Sequence, residues 1–229
     1  MSTISVSVSD ELRNTYPAAY AGFMLVSCEK NIHRSEKMQQ QKGKLVQVLR
    51  ERFPDKNAIK NDATIQIYQR YYQQFKSNFH VRFQIETMTI KGKDMPTRSV
   101  LVDALFMTEL KYGLLIAGHD MDNVQMPITV DCTQMFEMFT QLGGTVKTLK
   151  DGDMCFRDAE KTLSCILYGP EDSSPVTMDT KKVLYTIYGP QGISREMVSE
   201  GLDDIAANAQ LAIPDLTILD KCVVGGKTS

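Results

Sequence analysis

Ile4, Val6 and Val8 alternate with polar residues at the start of the chain, a period of two that predicts a strand with one buried face. "SDELRNTYP" comes next, with Ser9 or Asp10 placed to cap a short helix that ends before Pro17. The greasy run around residues 20–27 predicts a buried strand. From Glu36 to Phe53, Met38, Leu45, Leu49 and Phe53 recur at helical spacings, giving one long helix with an apolar stripe. Asp62 caps a further helix, "DATIQIYQRYYQQFK", in which Ile65, Tyr68, Tyr72 and Phe75 share a side. Aromatic rings beside Arg70 and Lys76 suit base stacking. Their steps of three and four, however, put them on a core face.

"KGKDMPTRS" is a basic loop, and "SVLVDALFMTEL" after it predicts a helix capped by Thr97 or Ser99 and stopped near Gly113. Asp103 lies in the apolar part of that helix. A buried carboxylate without a partner is too costly, so a bond to a nearby backbone N–H is expected. The second half reads as strands: "PITVDC", "GGTVKTL", "DMCFRD", "TLSCILYGP" and "KKVLYTIYGP", separated by glycine- and proline-rich turns. A last helix runs from about Ser194 to Ala209, with Met197, Leu202 and Ile205 inward. These elements predict an α+β fold with a mixed sheet and helices packed against it. The domain is expected to span residues 1–214, followed by a C-terminal tail over 215–229.

Composition adds limits. The 229 residues are 42% apolar and 24% charged, ordinary globular values. No stretch approaches the ~20 apolar residues of a membrane helix, and the polar, acidic N-terminus is the wrong flank for a secretory signal, so a cytoplasmic protein is expected. The five cysteines form no C-x-x-C pair and the three histidines form no ligand motif; no metal and no cofactor is expected. "GGKTS" echoes a phosphate-binding loop, but the first glycine of that motif would fall at Lys221. Charge is uneven. Arg34–Arg98 holds 14 Lys and Arg against 6 Asp and Glu, and the rest holds 12 against 22. A cationic face of this kind suits a polyanion such as RNA, or else is a set of solvated helix surfaces.

The densest candidate chemistry is "LKYGLLIAGHDMDNV", where an apolar run passes through Gly118 into His119, Asp120 and Asp122. Aspartates of this kind often only close a turn, and a lone histidine is often simply packed.

The order of segments resembles the B3/B4 domain of the phenylalanyl-tRNA synthetase β subunit, and still more the free-standing proteins built from that domain. The likeness rests on Val102-Asp103, on Leu110 to Gly113, and on Gly118-His119-Asp120-Met121-Asp122. Downstream it rests on Gly152, Asp153 and Asp158, and on "VTMDTKKVLYTIYGP" with Thr180. Two places differ from the synthetase pattern: Ala117 stands where it usually has histidine, and "DCTQMFEMF" stands where it has Gly-Glu. The resemblance implies an α+β domain with a pocket that, in the synthetase, hydrolyses tyrosine wrongly esterified to tRNA.

For this chain the expectation is a tRNA-binding protein that hydrolyses a mischarged aminoacyl ester in trans, with the acceptor end of tRNA as partner and neither membrane nor DNA. No ATP-dependent ligase activity is expected. An activated ester needs only a held water, an oxyanion donor and a site for the α-ammonium. His119 would orient or deprotonate water, with Asp120 beside it. Asp120, Asp122 or Asp172 would meet the ammonium. Thr180, or backbone N–H groups near Gly118 and Gly169, would bind the carbonyl oxygen. The loop Tyr168–Pro175 would form the opposite wall, and Lys91, Lys93 and Arg98 would hold tRNA phosphates. The alternative is a non-catalytic module whose pocket captures a free amino acid or related metabolite.

Overall fold

Four serine and aspartate side chains start helices where the pattern places them. In the computed structural model, which describes residues 4–226, Ser9 accepts the N–H of Leu12 and so caps α1 (Asp10–Thr15). Asp62 accepts two N–H groups and caps α4 (Ala63–Gln74). Ser99 caps α6 (Val100–Tyr112), which Gly113 ends in the left-handed region at φ 70°. Ser194 caps α7 (Arg195–Gln210). Three further helices precede α6: α2 (Glu36–Arg52), α3 (Lys56–Asn61) and α5 (Val81–Thr89).

The strands make two principal sheets. The mixed sheet anticipated from the sequence has five strands: β1 (Val6–Val8), β4 (Ile128–Cys132), β7 (Met154–Arg157), β8 (Thr162–Cys165) and β9 (Gly169–Pro170), in that order. Its β1–β4 pair is parallel and the other pairs are antiparallel. A second, antiparallel sheet contains β2 (Tyr20–Ser27), β3 (Leu115–Asp120), β10 (Lys182–Gly189) and β11 (Thr217–Gly225), in the order β11-β2-β10-β3. The strands β5 (Met138–Gln141) and β6 (Thr145–Thr148) form a separate hairpin.

β11 corrects the expected tail. Thr217–Gly225 pairs along the whole length of β2, so most of the segment placed after residue 214 is an edge strand. None of its residues is fully buried, its apolar residues Ile218, Leu219, Cys222, Val223 and Val224 come in pairs and runs rather than alternating, and its register shifts between Ile218 and Asp220, so it lacks the period-two signal of a half-buried strand.

The sheets meet through aromatics. Phe156 of β7 stacks on Tyr188 of β10 with centroids 3.9 Å apart, and Phe23 of β2 packs on Phe156 at 4.9 Å. Helix α4 then ties both sheets together. Tyr68 donates to the carbonyl of Tyr188 and accepts the N–H of Leu115 at 3.1 Å. Tyr72 donates to the carbonyl of Ile166 at 2.5 Å, and Tyr71 donates to Asp153 at 2.7 Å while accepting the N–H of Met154. All three rings are buried. The core reading of this aromatic stripe therefore holds, and each hydroxyl finds a partner that justifies burying it.

Candidate functional site

A cavity of about 550 Å³ opens between the start of α6, the middle of β3 and the loop after β9. Ser99, Val102 and Leu105 form one side, Ile116 to Gly118 the floor, and Pro170 with Pro175 to Met178 the opposite wall; Leu142 of the β5–β6 turn and Arg98 complete the rim. The size lies within the ~300–1,000 Å³ usual for small-molecule sites. Gly118 leaves room at the floor: a Cβ there would lie 3.1 Å from Leu105 Cδ2 and 3.4 Å from Val176 Cγ2, so a side chain would press on two residues that line the hollow.

Buried polar residues hold the two walls at their spacing. Asn31, fully buried, donates to the carbonyl of Thr177 at 2.7 Å and accepts the N–H of Leu101 at 3.5 Å. It thus joins the far wall to the first turn of α6. His33 Nδ1 bonds the carbonyl of Arg98 at 2.7 Å. Asp103 accepts the N–H of Arg98 at 3.0 Å and the ammonium of Lys42 at 2.5 Å. Lys42 also donates to the carbonyl of Pro96 at 2.8 Å. The expected backbone partner of Asp103 is thus present, with a buried cation added, and the basic loop is anchored just before the rim.

The residues expected to do chemistry fall differently. Gly118 and Arg98 line the cavity. His119 does not; along a strand alternate side chains point to opposite faces, and His119 has no exposed surface. Its Nδ1 lies 3.0 Å from Ser174 Oγ, and burial pushes its pKa down to about 4, so the ring is neutral. Asp120 accepts from Thr180 Oγ1 at 2.6 Å and from the N–H of Asp122 at 3.1 Å, the turn-closing arrangement. Thr180 is 2% exposed and spends its proton on Asp120. Asp122 is exposed, and Asp172 accepts the N–H of Gly143 at 2.7 Å. Gly169 sits in β9 beside the wall residue Pro170. Lys91 lies near Glu86 at 4.0 Å, away from this cavity, and Lys93 is exposed.

No carboxylate and no histidine stands among the described residues that line the cavity. Its polar groups are Arg98, the hydroxyls of Ser99 and Thr177, and backbone. Among the described residues no group of three His, Cys, Asp or Glu side chains is placed to hold a metal ion, and no helix is long and apolar enough to cross a membrane.

The model of the B3/4 domain matches residues 67–208, which is more than half of the chain. The chain belongs to the B3/4 domain family. Every residue lining the cavity lies inside the matched segment. Among solved structures, the chain is similar to an N-terminal fragment of the phenylalanyl-tRNA synthetase β subunit from Pyrococcus horikoshii, at 14% identity and a TM-score of 0.49. That match covers 96% of this chain and 54% of the fragment. A comparison with curated proteins finds no match.

Several residues of consequence carry no motif. Asn31 and Lys42 lie before the matched segment and read as ordinary surface polar residues. The available signal was Asp103: a carboxylate in an apolar helix requires a donor, and Lys42 is one of the 14 cations in the basic region. Ser174 and Thr177 lie in a Ser/Thr/Pro-rich segment that composition alone marks only as loop.

Proposed function

We propose that this B3/4-domain protein binds tRNA, takes the side chain of an esterified amino acid into the cavity beneath Arg98, and hydrolyses a mischarged ester in trans, in the cytoplasm where tRNA is charged. The observation that carries the reading is the cavity: an apolar hollow of about 550 Å³ with one cation and two hydroxyl side chains in its lining. The apolar lining would hold the side chain, and Arg98 would meet the terminal phosphate. Ser99 and Thr177 would donate to the ester carbonyl oxygen. Water attacks the carbonyl carbon, and the electron pair leaves with the ribose oxygen, which takes up a proton. Positioning supplies most of the acceleration, since the ester is already reactive.

His119 and Asp120 do not touch the substrate in this reading. They support β3 and the turn after it. The lack of an ionisable water-activating side chain at the cavity favours the second reading, a non-catalytic module that captures a free amino acid.

A panel of correctly and wrongly charged tRNAs, incubated with the protein and with a Val102→Trp variant, separates the two. Catalysis requires that at least one ester be lost faster than in buffer and that filling the cavity abolish the gain. If every ester survives as in buffer, while free amino acids raise the melting temperature, the module reading replaces it.

A further inference from the structure

A second surface gathers the cations that the first cavity does not use. Lys56 and Lys60 sit four residues apart on α3, hence on one helical face, and they line a groove of about 460 Å³ opposite Arg82 and Phe83 of α5. A neighbouring hollow of about 200 Å³ shares Lys60 and Arg82 and adds Arg70 from α4. Lys91 closes the far end. Among the described residues lining the two hollows, Glu86 is the one carboxylate, 2.9 Å from Lys56 and 4.0 Å from Lys91. Five cations against one carboxylate repel one another, and a bound polyanion removes that repulsion.

Phe83 distinguishes the kind of polyanion. Its ring is 43% exposed, and the Arg82 guanidinium lies 4.6 Å from its centroid. An exposed ring flanked by cations serves a ligand that carries bases as well as phosphates. The chain also leads from this groove to the cavity: it leaves the groove at Lys91 and reaches the rim at Arg98 within one loop.

We propose that the α3–α5 groove is the RNA-binding surface, holding backbone phosphates on Lys60, Arg70 and Arg82 with a base against Phe83, while the RNA end points along the Lys91–Arg98 loop toward the cavity. This deepens the tRNA reading and rests on it. If Lys60, Arg70 and Arg82 each neutralise one phosphate, log K should fall with log salt at a slope of about −2.1 to −2.7.

The test is a titration of deacylated tRNA by fluorescence anisotropy at about 50 and about 200 mM salt, with wild-type protein, the Lys60→Glu/Arg82→Glu variant, Phe83→Ala and Glu86→Gln. Thermal melting of each variant shows whether it is folded. The charge-reversed variant should bind at least ~10-fold more weakly at the lower salt, with a slope shallower by about 2. Phe83→Ala should weaken binding ~10-fold with the slope unchanged. Glu86→Gln should tighten it.

Wild-type tRNA affinity and slope in the folded charge-reversed variant would overturn the groove while leaving tRNA binding intact. Absence of tRNA binding by the wild type at low salt would overturn both. Equal affinity for duplex DNA and tRNA would replace the RNA assignment with a general polyanion surface. Loss of esters from charged tRNA is scored separately, so the cavity and the groove can fail independently.

Discussion

Replacing Lys42 by methionine leaves Asp103 buried with one N–H donor in place of an ammonium and an N–H. The two side chains are 4% and 2% exposed and 2.5 Å apart. Breaking such a pair from one side costs about 3–5 kcal/mol, most of it the burden of the uncompensated charge. For a chain of this length each kcal/mol lowers the melting temperature by ~2–4 °C, so Lys42→Met should melt roughly 6–20 °C below wild type. Lys42→Met/Asp103→Leu removes both charges together. It should recover most of the loss, ending within about 2 kcal/mol of wild type, because apolar replacement of a whole buried pair is often close to neutral. The assay is thermal and urea unfolding of wild type, both single variants and the double. Costs that simply add, or a Lys42→Met cost below ~1 kcal/mol, would refute the claim that this pair is a coupled, desolvated unit. A functional readout runs beside it. Lys42 and Asp103 clamp Pro96 and Arg98, so the double variant, close to wild type in stability, should still weaken the capture of charged tRNA.

Two buried ionisable groups give opposite pH signatures. Burial raises the pKa of Glu109 to about 8, the N–H of Ile116 being its one side-chain hydrogen bond. The native protein therefore holds this proton above the pH at which the unfolded chain releases it, and stability is lost as pH rises from about 4.5 to about 8. Glu109→Gln should match wild type near pH 4 and exceed it by about 3 kcal/mol near neutrality; a constant difference across pH would refute this. His119 runs the other way. Its pKa is about 4 in the folded protein against an unfolded value near 6.5, so the native state loses stability as pH falls through that window. His119→Leu should flatten this part of the profile by up to ~3 kcal/mol, with cavity function retained. A large loss of ester hydrolysis at neutral pH without unfolding would return His119 to the reaction.

The elements with strong periodicity were legible in the sequence. The caps at Ser9, Asp62 and Ser99, the stop at Gly113 and the core stripe of α4 follow from local chemistry, and each is met in the structure. Tyr71 was left out of the stripe although it lies three residues after Tyr68 and four before Phe75, and it is buried against Asp153. α3, α5 and β5 were missed: they are short, and packing among neighbours rather than propensity defines them. For the site, Gly118 and the loop ending at Pro175 were read as two sides of a pocket and Arg98 as a phosphate contact outside it; in the structure Gly118, Pro170, Pro175 and Arg98 line one cavity. What failed was facing. His119 follows Gly118 in β3, and while Ile116 to Gly118 line the floor, His119 is fully buried with its Nδ1 beside Ser174. Reading that segment as a turn hid the strand that buries the ring.

The polar inventory of the cavity limits how it could discriminate. Its lining offers methyl and methylene groups from Val102, Leu105, Ile116, Val176 and Met178, and among the described residues its polar side chains are Arg98, Ser99 and Thr177, which the proposed reaction assigns to the phosphate and the ester carbonyl. An apolar hollow separates side chains differing by one methylene by only ~10–200-fold, and it rejects an added hydroxyl no better than ~100-fold. Selection of one amino acid over its near isosteres by 10,000-fold would require unpaired polar groups that this hollow lacks. Against a series of tRNAs charged with apolar amino acids, the protein should therefore show a graded preference by size, with phenylalanine and tyrosine esters separated by at most roughly 100-fold. Rejection of one of that pair by several thousandfold would mean that a polar group outside the lining enters the cavity when substrate binds, Asn31, which bonds Thr177 directly, and Asp120, linked to it through Thr180, being two such groups.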